Sequence, residues 1–232
     1  MIKKHIPNTI TSCNLISGCI ATTYALSGNL EWAFAWIIIG NVFDFFDGMS
    51  ARLLKVSSPI GKELDSLADV VTSGVAPAAM IFYELGVIDY PSSIEFLRPV
   101  LPFFAFVMAA FAGLRLAKFN LDERQHTSFI GLPTPANALF WGSLIVGASS
   151  LIERTPWSLP IILLGICISS WLMVCEIPMF ALKFKQWGWK GNELKYCFAG
   201  LSILLLVLFG ITSFALIIIM YVILSIFRDL KK

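Results

Sequence analysis

The sequence predicts an all-α, multi-pass membrane protein, a helix bundle of about eight transmembrane helices with both termini in the cytoplasm. Hydrophobic residues make up 57% of the 232 residues and charged residues only 14%, whereas a soluble domain carries roughly a quarter of its residues as charges. The mean hydropathy of +0.80 also indicates lipid as the surrounding solvent. The net charge of +2 argues against a nucleic-acid partner, which would require a concentrated basic face.

Apolar stretches of about 20 residues, the length that crosses the hydrocarbon core as a helix, follow one another along the whole chain. The predicted spans cover residues 9–27, 30–53, 60–85, 98–120, 134–152, 157–180, 193–209 and 211–228. Since no linker or internal repeat interrupts them, residues 1–232 are predicted to form a single membrane domain.

The first span is more polar than the apolar core of a signal peptide. It carries Thr and Ser residues throughout, and Thr11 and Asn14 lie three positions apart on one helix face. This polar strip has two interpretations: it faces a wet cavity, or it forms hydrogen bonds to neighbouring helices.

Residues 197–227 are apolar nearly throughout, and only residues 210–213 offer a turn between two helices. Hydropathy therefore does not decide between one span and two here, and the positions of the charged residues are used instead. Eight helices place every Lys and Arg on the cytoplasmic side except Arg98 and Arg154, in agreement with the positive-inside rule. Seven helices would export the basic residues near the C-terminus, so eight spans are favoured.

Four aspartates form spaced pairs at the ends of two neighbouring spans. Asp44 and Asp47 are three positions apart, and Asp65 and Asp69 are four apart, so each pair lies on one helix face. Two helices joined by a short link run antiparallel and bring the four carboxylates together near the cytoplasmic side. Such an all-oxygen site suits Mg²⁺, Mn²⁺ or Ca²⁺. Glu63 differs in helical phase and is expected to be solvated.

Small and basic residues between the two pairs suit a phosphate ligand. Gly48 and Ala51 leave room for a group to approach the backbone, and Arg52 can donate two parallel hydrogen bonds to phosphate oxygens. Gly61 and Lys62 lie at the start of the next helix, whose N-terminus favours an anion. Carboxylates, a divalent metal and a phosphate-binding Arg together indicate phosphoryl transfer.

A cation- or proton-coupled transporter is the alternative explanation for carboxylates within membrane helices. A transporter of this kind places its acidic residues near the bilayer midplane, between repeated halves. Here the acidic residues lie toward one membrane face and the two halves show no repeat, which favours an enzyme.

The string Asp44-x2-Asp47-Gly48-x2-Ala51-Arg52-x8-Gly61-x3-Asp65-x3-Asp69 resembles the complete signature of the CDP-alcohol phosphotransferase family. The resemblance implies a homodimeric enzyme with two divalent cations, Mg²⁺ or Mn²⁺, for which Ca²⁺ is an inhibitory substitute. It further implies that Asp69 acts as the general base and also as a metal ligand. The metal ligands would be Asp44, Asp47, Asp65 and Asp69, and the CDP moiety would contact Gly48, Ala51, Arg52, Gly61 and Lys62.

Further blocks resemble the subgroup of this family whose acceptor is L-serine. Residues 7–18 begin Pro-Asn-x2-Thr-x2-Asn, and residues 115–120 and 129–136 read Arg-Leu-Ala-Lys-Phe-Asn and Phe-Ile-Gly-Leu-Pro-Thr-Pro-Ala. The first block implies nucleotide contacts from Asn8, Thr11 and Asn14. The expected reaction is direct transfer of the phosphatidyl group of CDP-diacylglycerol to the serine hydroxyl. It yields phosphatidylserine and CMP at a site facing the cytoplasm.

Serine is a zwitterion, so its site should provide a cation for the carboxylate and an acceptor for the ammonium group. Arg115 is predicted to bind the carboxylate, with Asn120 and Thr134 as neutral helpers. Lys118 stands where the subgroup frequently has Arg and lacks the planar fork of a guanidinium. Two alternatives remain: these basic residues only set topology, or the acceptor is another alcohol, such as glycerol phosphate or inositol phosphate.

Overall fold

In the computed structural model, the described residues are 5–56, 58–122, 129–155, 157–180, 188–189 and 192–230. This part of the chain contains the helices α1 (His5–Leu26), α2 (Leu30–Leu54), α3 (Pro59–Asp69), α4 (Ala76–Val87), α5 (Phe106–Leu121), α6 (Thr134–Arg154), α7 (Ser158–Val174), α8 (Glu193–Phe209) and α9 (Phe214–Leu230). A π-helical turn (Val70–Val75) joins α3 to α4 without a break. The two-residue strands β1 (Phe129–Ile130) and β2 (Pro178–Met179) pair antiparallel. The all-α prediction is confirmed, apart from this short pair.

Among the described residues, four helical segments are long and apolar enough to cross a membrane, and α7 is a shorter apolar helix. The four are Pro59–Val87, Leu101–Leu121, Thr134–Ile152 and Glu193–Arg228. Each of the eight predicted spans contains a helical segment. Two predicted bounds are wrong, because the span 98–120 begins well before α5 and the span 157–180 runs past the end of α7 into β2. The eight crossings and the cytoplasmic termini stay predictions. Several basic residues used for that prediction lie outside the described part of the chain, at positions 3, 4, 124, 183, 185, 190, 231 and 232.

The apolar C-terminal stretch folds back on itself as a helical hairpin. A 3₁₀ turn (Gly210–Ser213) separates α8 from α9, and Gly210 adopts a φ of 62°. The rings of Phe198 in α8 and Tyr221 in α9 have centroids 6.0 Å apart. In one straight helix their 23-residue separation would place them about 34 Å apart. The predicted turn at residues 210–213 is therefore confirmed.

Several helix ends meet at one end of the bundle, which we call the polar end. The Nζ atom of Lys62 in α3 donates to the carbonyl of Asn120 at the end of α5, over 3.0 Å. The Nζ atom of Lys118 donates to the carbonyl of Val174 at the end of α7, over 3.3 Å. These contacts place the start of α3 beside the ends of α5 and α7, as expected for helices that alternate in direction.

The π-helical turn packs into a notch made by two glycines. A Cβ at Gly18 in α1 would lie 2.4 Å from Oγ1 of Thr72, and a Cβ at Gly40 in α2 would lie 2.5 Å from Cγ2 of the same residue. Thr72 also donates through Oγ1 to the carbonyl of Asn14, over 3.0 Å. The turn is thereby held against α1 and α2 directly after Asp69. This turn was not predicted from the sequence.

Candidate active site

Three carboxylates converge at the polar end between α2 and α3. Carboxylate oxygens of Asp44, Asp47 and Asp65 all lie within 4.8 Å of one another. Like charges this close repel one another, so a shared proton or a shared cation stabilises the group. Oδ1 of Asp65 is buried and has no hydrogen-bond partner among the described residues. Three oxygen donors with an unpaired acceptor fit a hard divalent cation.

The turn between α2 and α3 explains why the two carboxylate pairs face each other. Lys55 ends α2 in the left-handed conformation, with a φ of 53°. Ser58 then caps α3, because its Oγ accepts a hydrogen bond from the Gly61 amide over 2.9 Å, and Pro59 occupies the first turn. This short connection makes the helices antiparallel and brings Asp65 opposite Asp44.

The polar face of α1 forms hydrogen bonds to the carboxylates. Oγ1 of Thr11 donates to Oδ2 of Asp47 over 2.6 Å, and Nδ2 of Asn14 donates to Oδ1 of Asp69 over 3.1 Å. The polar strip of α1 was predicted either to face a wet cavity or to form hydrogen bonds to neighbouring helices. Thr11 and Asn14 both form such interhelical hydrogen bonds. Thr11 also lines a cavity beside Asp47 and Asp65. These bonds orient two of the four aspartates from a helix more than 30 residues away in sequence.

Asp69 lies outside the group of three converging carboxylates, one helical turn after Asp65. Its side chain is buried and interacts electrostatically with Arg115 as well as accepting from Asn14. The prediction that all four carboxylates converge is therefore wrong for Asp69, which accepts a hydrogen bond from α1 and interacts electrostatically with Asp44 in α2 and Arg115 in α5. Glu63, by contrast, is exposed, as the sequence analysis expected.

A cavity of about 210 Å³ adjoins the three converging carboxylates, with Asp47 and Asp65 in its wall. Six of the residues predicted to contact the nucleotide or its phosphates line it: Asn8, Thr11, Gly48, Ala51, Gly61 and Lys62. Asn14 and Arg52 do not. Arg52 is exposed, and its guanidinium lies 3.8 Å from the position that a Cβ on Gly48 would occupy. The structure thus brings most of the predicted residues together around one space.

Three further residues line the cavity that the sequence analysis missed, namely Pro7, Val56 and Ser58. Ser58 followed by Pro59 is a helix-start signal and could have been found from the sequence. Nothing in the sequence distinguishes Val56.

The predicted acceptor residues do not form a single group. Arg115 is buried, and its guanidinium lies 5.0 Å from the centroid of the Phe119 ring. Asn120 instead points to α3, where its amide donates to Oγ of Ser66 over 2.8 Å. Thr134 is fully buried, and its hydroxyl has no hydrogen-bond partner among the described residues. Residues 123–128 of the acceptor-side block 115–136 lie outside the described residues.

The apolar helices, the converging carboxylates and the adjoining cavity together place the protein in a class. It is a helical membrane protein with a carboxylate group suited to a divalent cation at one end of the bundle. Residues 4–182 match the sequence model of the family described as CDP-alcohol phosphatidyltransferase, and the chain belongs to this family. Members of the family depend on divalent metal ions in general.

Several relatives are named CDP-diacylglycerol–serine O-phosphatidyltransferase. The protein of Bacillus subtilis is 38% identical over 179 residues, which cover 75% of this chain and 89% of the relative. That of Helicobacter pylori (strain J99) is 35% identical over 136 residues, covering 57% and 54%. That of Saccharomyces cerevisiae is 34% identical over 170 residues, covering 66% and 56%. The chain thus spans little more than half the length of the last two relatives.

Proposed function

We propose that the protein transfers the phosphatidyl group of CDP-diacylglycerol to the hydroxyl of L-serine, producing phosphatidylserine and CMP. The observation that carries the proposal is the cavity beside Asp47 and Asp65, lined by six residues predicted to contact the nucleotide or its phosphates. Family membership supports the CDP-linked donor. The names of the relatives support serine as acceptor.

The cavity holds the CDP moiety, and Asp44, Asp47 and Asp65 hold the divalent cations, with Asp69 as a further ligand. Two such cations, Mg²⁺ or Mn²⁺, would neutralise the charge of both phosphates and of the departing CMP. Gly48, Ala51 and Gly61 leave room for the diphosphate beside the helix backbones. Asn8 and Lys62 provide hydrogen-bond donors to the phosphate oxygens. Arg52 lies next to Gly48, outside the residues that line the cavity. These residues position the donor; they form no covalent bond with it.

The acceptor hydroxyl attacks the phosphorus of the phosphatidyl group directly. Asp69 accepts the hydroxyl proton, and the bond between phosphorus and the bridging oxygen breaks, leaving its electron pair on CMP. Asn14 orients Asp69 for this role by donating to Oδ1. Stereochemical inversion at phosphorus is the expected result, because a single displacement inverts the centre.

We further propose that the polar end faces the cytoplasm, where serine and CMP are soluble, and that the site opens laterally to the leaflet that contains the lipid tails. Eight membrane crossings and a homodimer complete this proposal. Accessibility of single Cys substitutions at Asp89 and at Glu193, measured with an impermeant thiol reagent on sealed vesicles, tests the predicted sidedness.

The first prediction is that purified protein in detergent releases CMP from CDP-diacylglycerol only when L-serine and Mg²⁺ or Mn²⁺ are both present. Glycerol phosphate and inositol phosphate serve as comparison acceptors at equal concentration. If glycerol phosphate or inositol phosphate supported CMP release and L-serine did not, the acceptor would be that alcohol and not serine. Absence of release with every acceptor would contradict the proposed reaction.

Replacing Gly48 with Ala is expected to lower activity while leaving the fold intact or slightly more stable. A Cβ there would approach nothing closer than the end of the Arg52 side chain, at 3.8 Å. Ala instead of Gly within a helix stabilises it by up to about 1 kcal/mol. The added methyl group occupies the cavity wall, so kcat/KM for CDP-diacylglycerol should fall by roughly tenfold or more.

The matched control is Gly200→Ala in α8, where a Cβ would have nothing within 4 Å. Both variants should show an unchanged or raised Tm, and only Gly48→Ala should lose activity. Wild-type activity in Gly48→Ala would show that the donor does not occupy this cavity wall.

A further inference from the structure

A second, smaller cavity lies between the ends of α5 and α7 at the polar end. Its volume is about 30 Å³, and four charged side chains line it: Arg115, Lys118, Asp122 and Glu176. Arg115 and Lys118 belong to α5, Asp122 follows α5, and Glu176 follows α7. Two cations and two carboxylates therefore face one space.

The segment that precedes α6 holds the end of α7 in place at this cavity. The amide of Gly131 donates to the carbonyl of Ile177 over 2.9 Å, and the amide of Leu132 donates to the carbonyl of Leu172 over 2.8 Å. Gly131 has a φ of 74°, and a Cβ there would lie 2.5 Å from the carbonyl oxygen of Met173. Only glycine fits at this position. The acceptor-side block thus fixes the backbone on both sides of Glu176.

Arg115 connects this cavity with the proposed general base. It is 7% exposed, and its Nε has no hydrogen-bond partner among the described residues. Its guanidinium also interacts electrostatically with Asp69. A buried guanidinium whose Nε lacks a hydrogen-bond partner is stabilised when an anionic or polar ligand in the cavity accepts that hydrogen bond. Arg115 therefore both lines this cavity and interacts electrostatically with Asp69.

The charges match an amino acid in its zwitterionic form. A volume of about 30 Å³ holds a group the size of one water molecule, which is also about the size of an ammonium group. The ammonium group would contact Glu176 and Asp122, and the carboxylate would contact Arg115. Lys118 and Glu176 are both exposed, so this cavity is accessible from solvent.

We infer that this cavity selects the acceptor: Glu176, with Asp122, binds the ammonium group of the incoming amino acid, and Arg115 binds its carboxylate. The inference rests on the proposed function, which it makes more specific. The same carboxylates repel a phosphorylated acceptor, since a phosphate group near Glu176 would place like charges together. Glycerol phosphate and inositol phosphate are thereby disfavoured. The sequence analysis missed Glu176, which lies more than 100 residues after the aspartate signature.

The test replaces Glu176 with Gln in the full-length protein and measures serine-dependent CMP release. KM for L-serine should rise at least about tenfold, because a hydrogen bond to a charged group is lost. KM for CDP-diacylglycerol should not change. Two inhibitors separate the charges of serine: ethanolamine, which lacks the carboxylate, and 3-hydroxypropionate, which lacks the ammonium group. Glu176→Gln should raise Ki for ethanolamine and leave Ki for 3-hydroxypropionate unchanged.

Two variants control for effects on folding and on net charge. Asp89→Asn removes an exposed carboxylate away from the cavity and should leave every constant unchanged. Glu176→Asp retains the charge and should recover part of the affinity for serine.

An unchanged KM for serine in Glu176→Gln and in the Glu176→Gln, Asp122→Asn double variant would overturn the inference. Equal shifts in Ki for both inhibitors would also overturn it, since they would indicate a structural effect. Neither result affects the proposed function, which fails only if the wild-type protein shows no serine-dependent release of CMP.

Discussion

Replacing Asp65 with Asn is expected to lower CMP release by about 10³-fold or more. Asp65 contributes one of the three carboxylates whose oxygens lie within 4.8 Å of one another. The amide keeps the shape of the side chain but removes the negative charge that a divalent cation requires. Metal affinity should fall together with activity, and Mn²⁺ titration followed by electron paramagnetic resonance measures it without any turnover.

Glu63→Gln is the matched control for this variant. It removes one charge from the same helix two positions earlier, where the side chain is exposed. Both Mn²⁺ affinity and CMP release should equal those of the wild-type protein. If Asp65→Asn bound Mn²⁺ with unchanged affinity, the three converging carboxylates would not be the metal site.

Replacing Asp69 with Asn is expected to lower kcat by about 10² to 10⁴, the usual range for loss of a general base. Asp69 lies outside the three converging carboxylates, so these can still hold a cation in its absence. Mn²⁺ affinity should therefore fall much less than in Asp65→Asn, and KM for CDP-diacylglycerol should change little. The different responses of the two variants separate proton transfer from metal binding.

Undiminished CMP release by Asp69→Asn would refute the assignment of the general base. Loss of Mn²⁺ binding as severe as in Asp65→Asn would instead place Asp69 primarily among the metal ligands. Asn14 provides a second comparison, because it contacts Asp69 and not the other aspartates. Asn14→Leu should reduce kcat less than Asp69→Asn does, since the carboxylate remains.

Much of the fold and of the candidate site was predictable from local patterns. Each of the eight predicted spans contains a helix, because an apolar run of about 20 residues has few other stable conformations in lipid. Asp44, Asp47 and Asp65 converge as predicted, because helical periodicity places each pair on one face and a short turn makes the two helices antiparallel. The π-helical turn after Asp69 escaped prediction, since no local signal marks it.

The acceptor side was predicted less well, for a physical reason that Asn120 illustrates. Its neighbours in sequence place it near the polar end, but its amide bonds to Ser66, 54 positions away. The choice between a cavity and another helix depends on the direction in which α5 is rotated, and this is decided by packing against α3 and α7. Helical periodicity contains no information about that rotation.

The sequence by itself therefore determined the helical class, the presence of each helix and the three converging carboxylates, because lipid burial and helical spacing act within one or two neighbouring segments. Only the tertiary structure decided which side chains complete the site. Thr11 and Asn14 contact Asp47 and Asp69, and Glu176 shares a cavity with Arg115. These partners lie 36 to 61 positions apart, and their meeting depends on how the helices pack, a property of the whole bundle rather than of any segment.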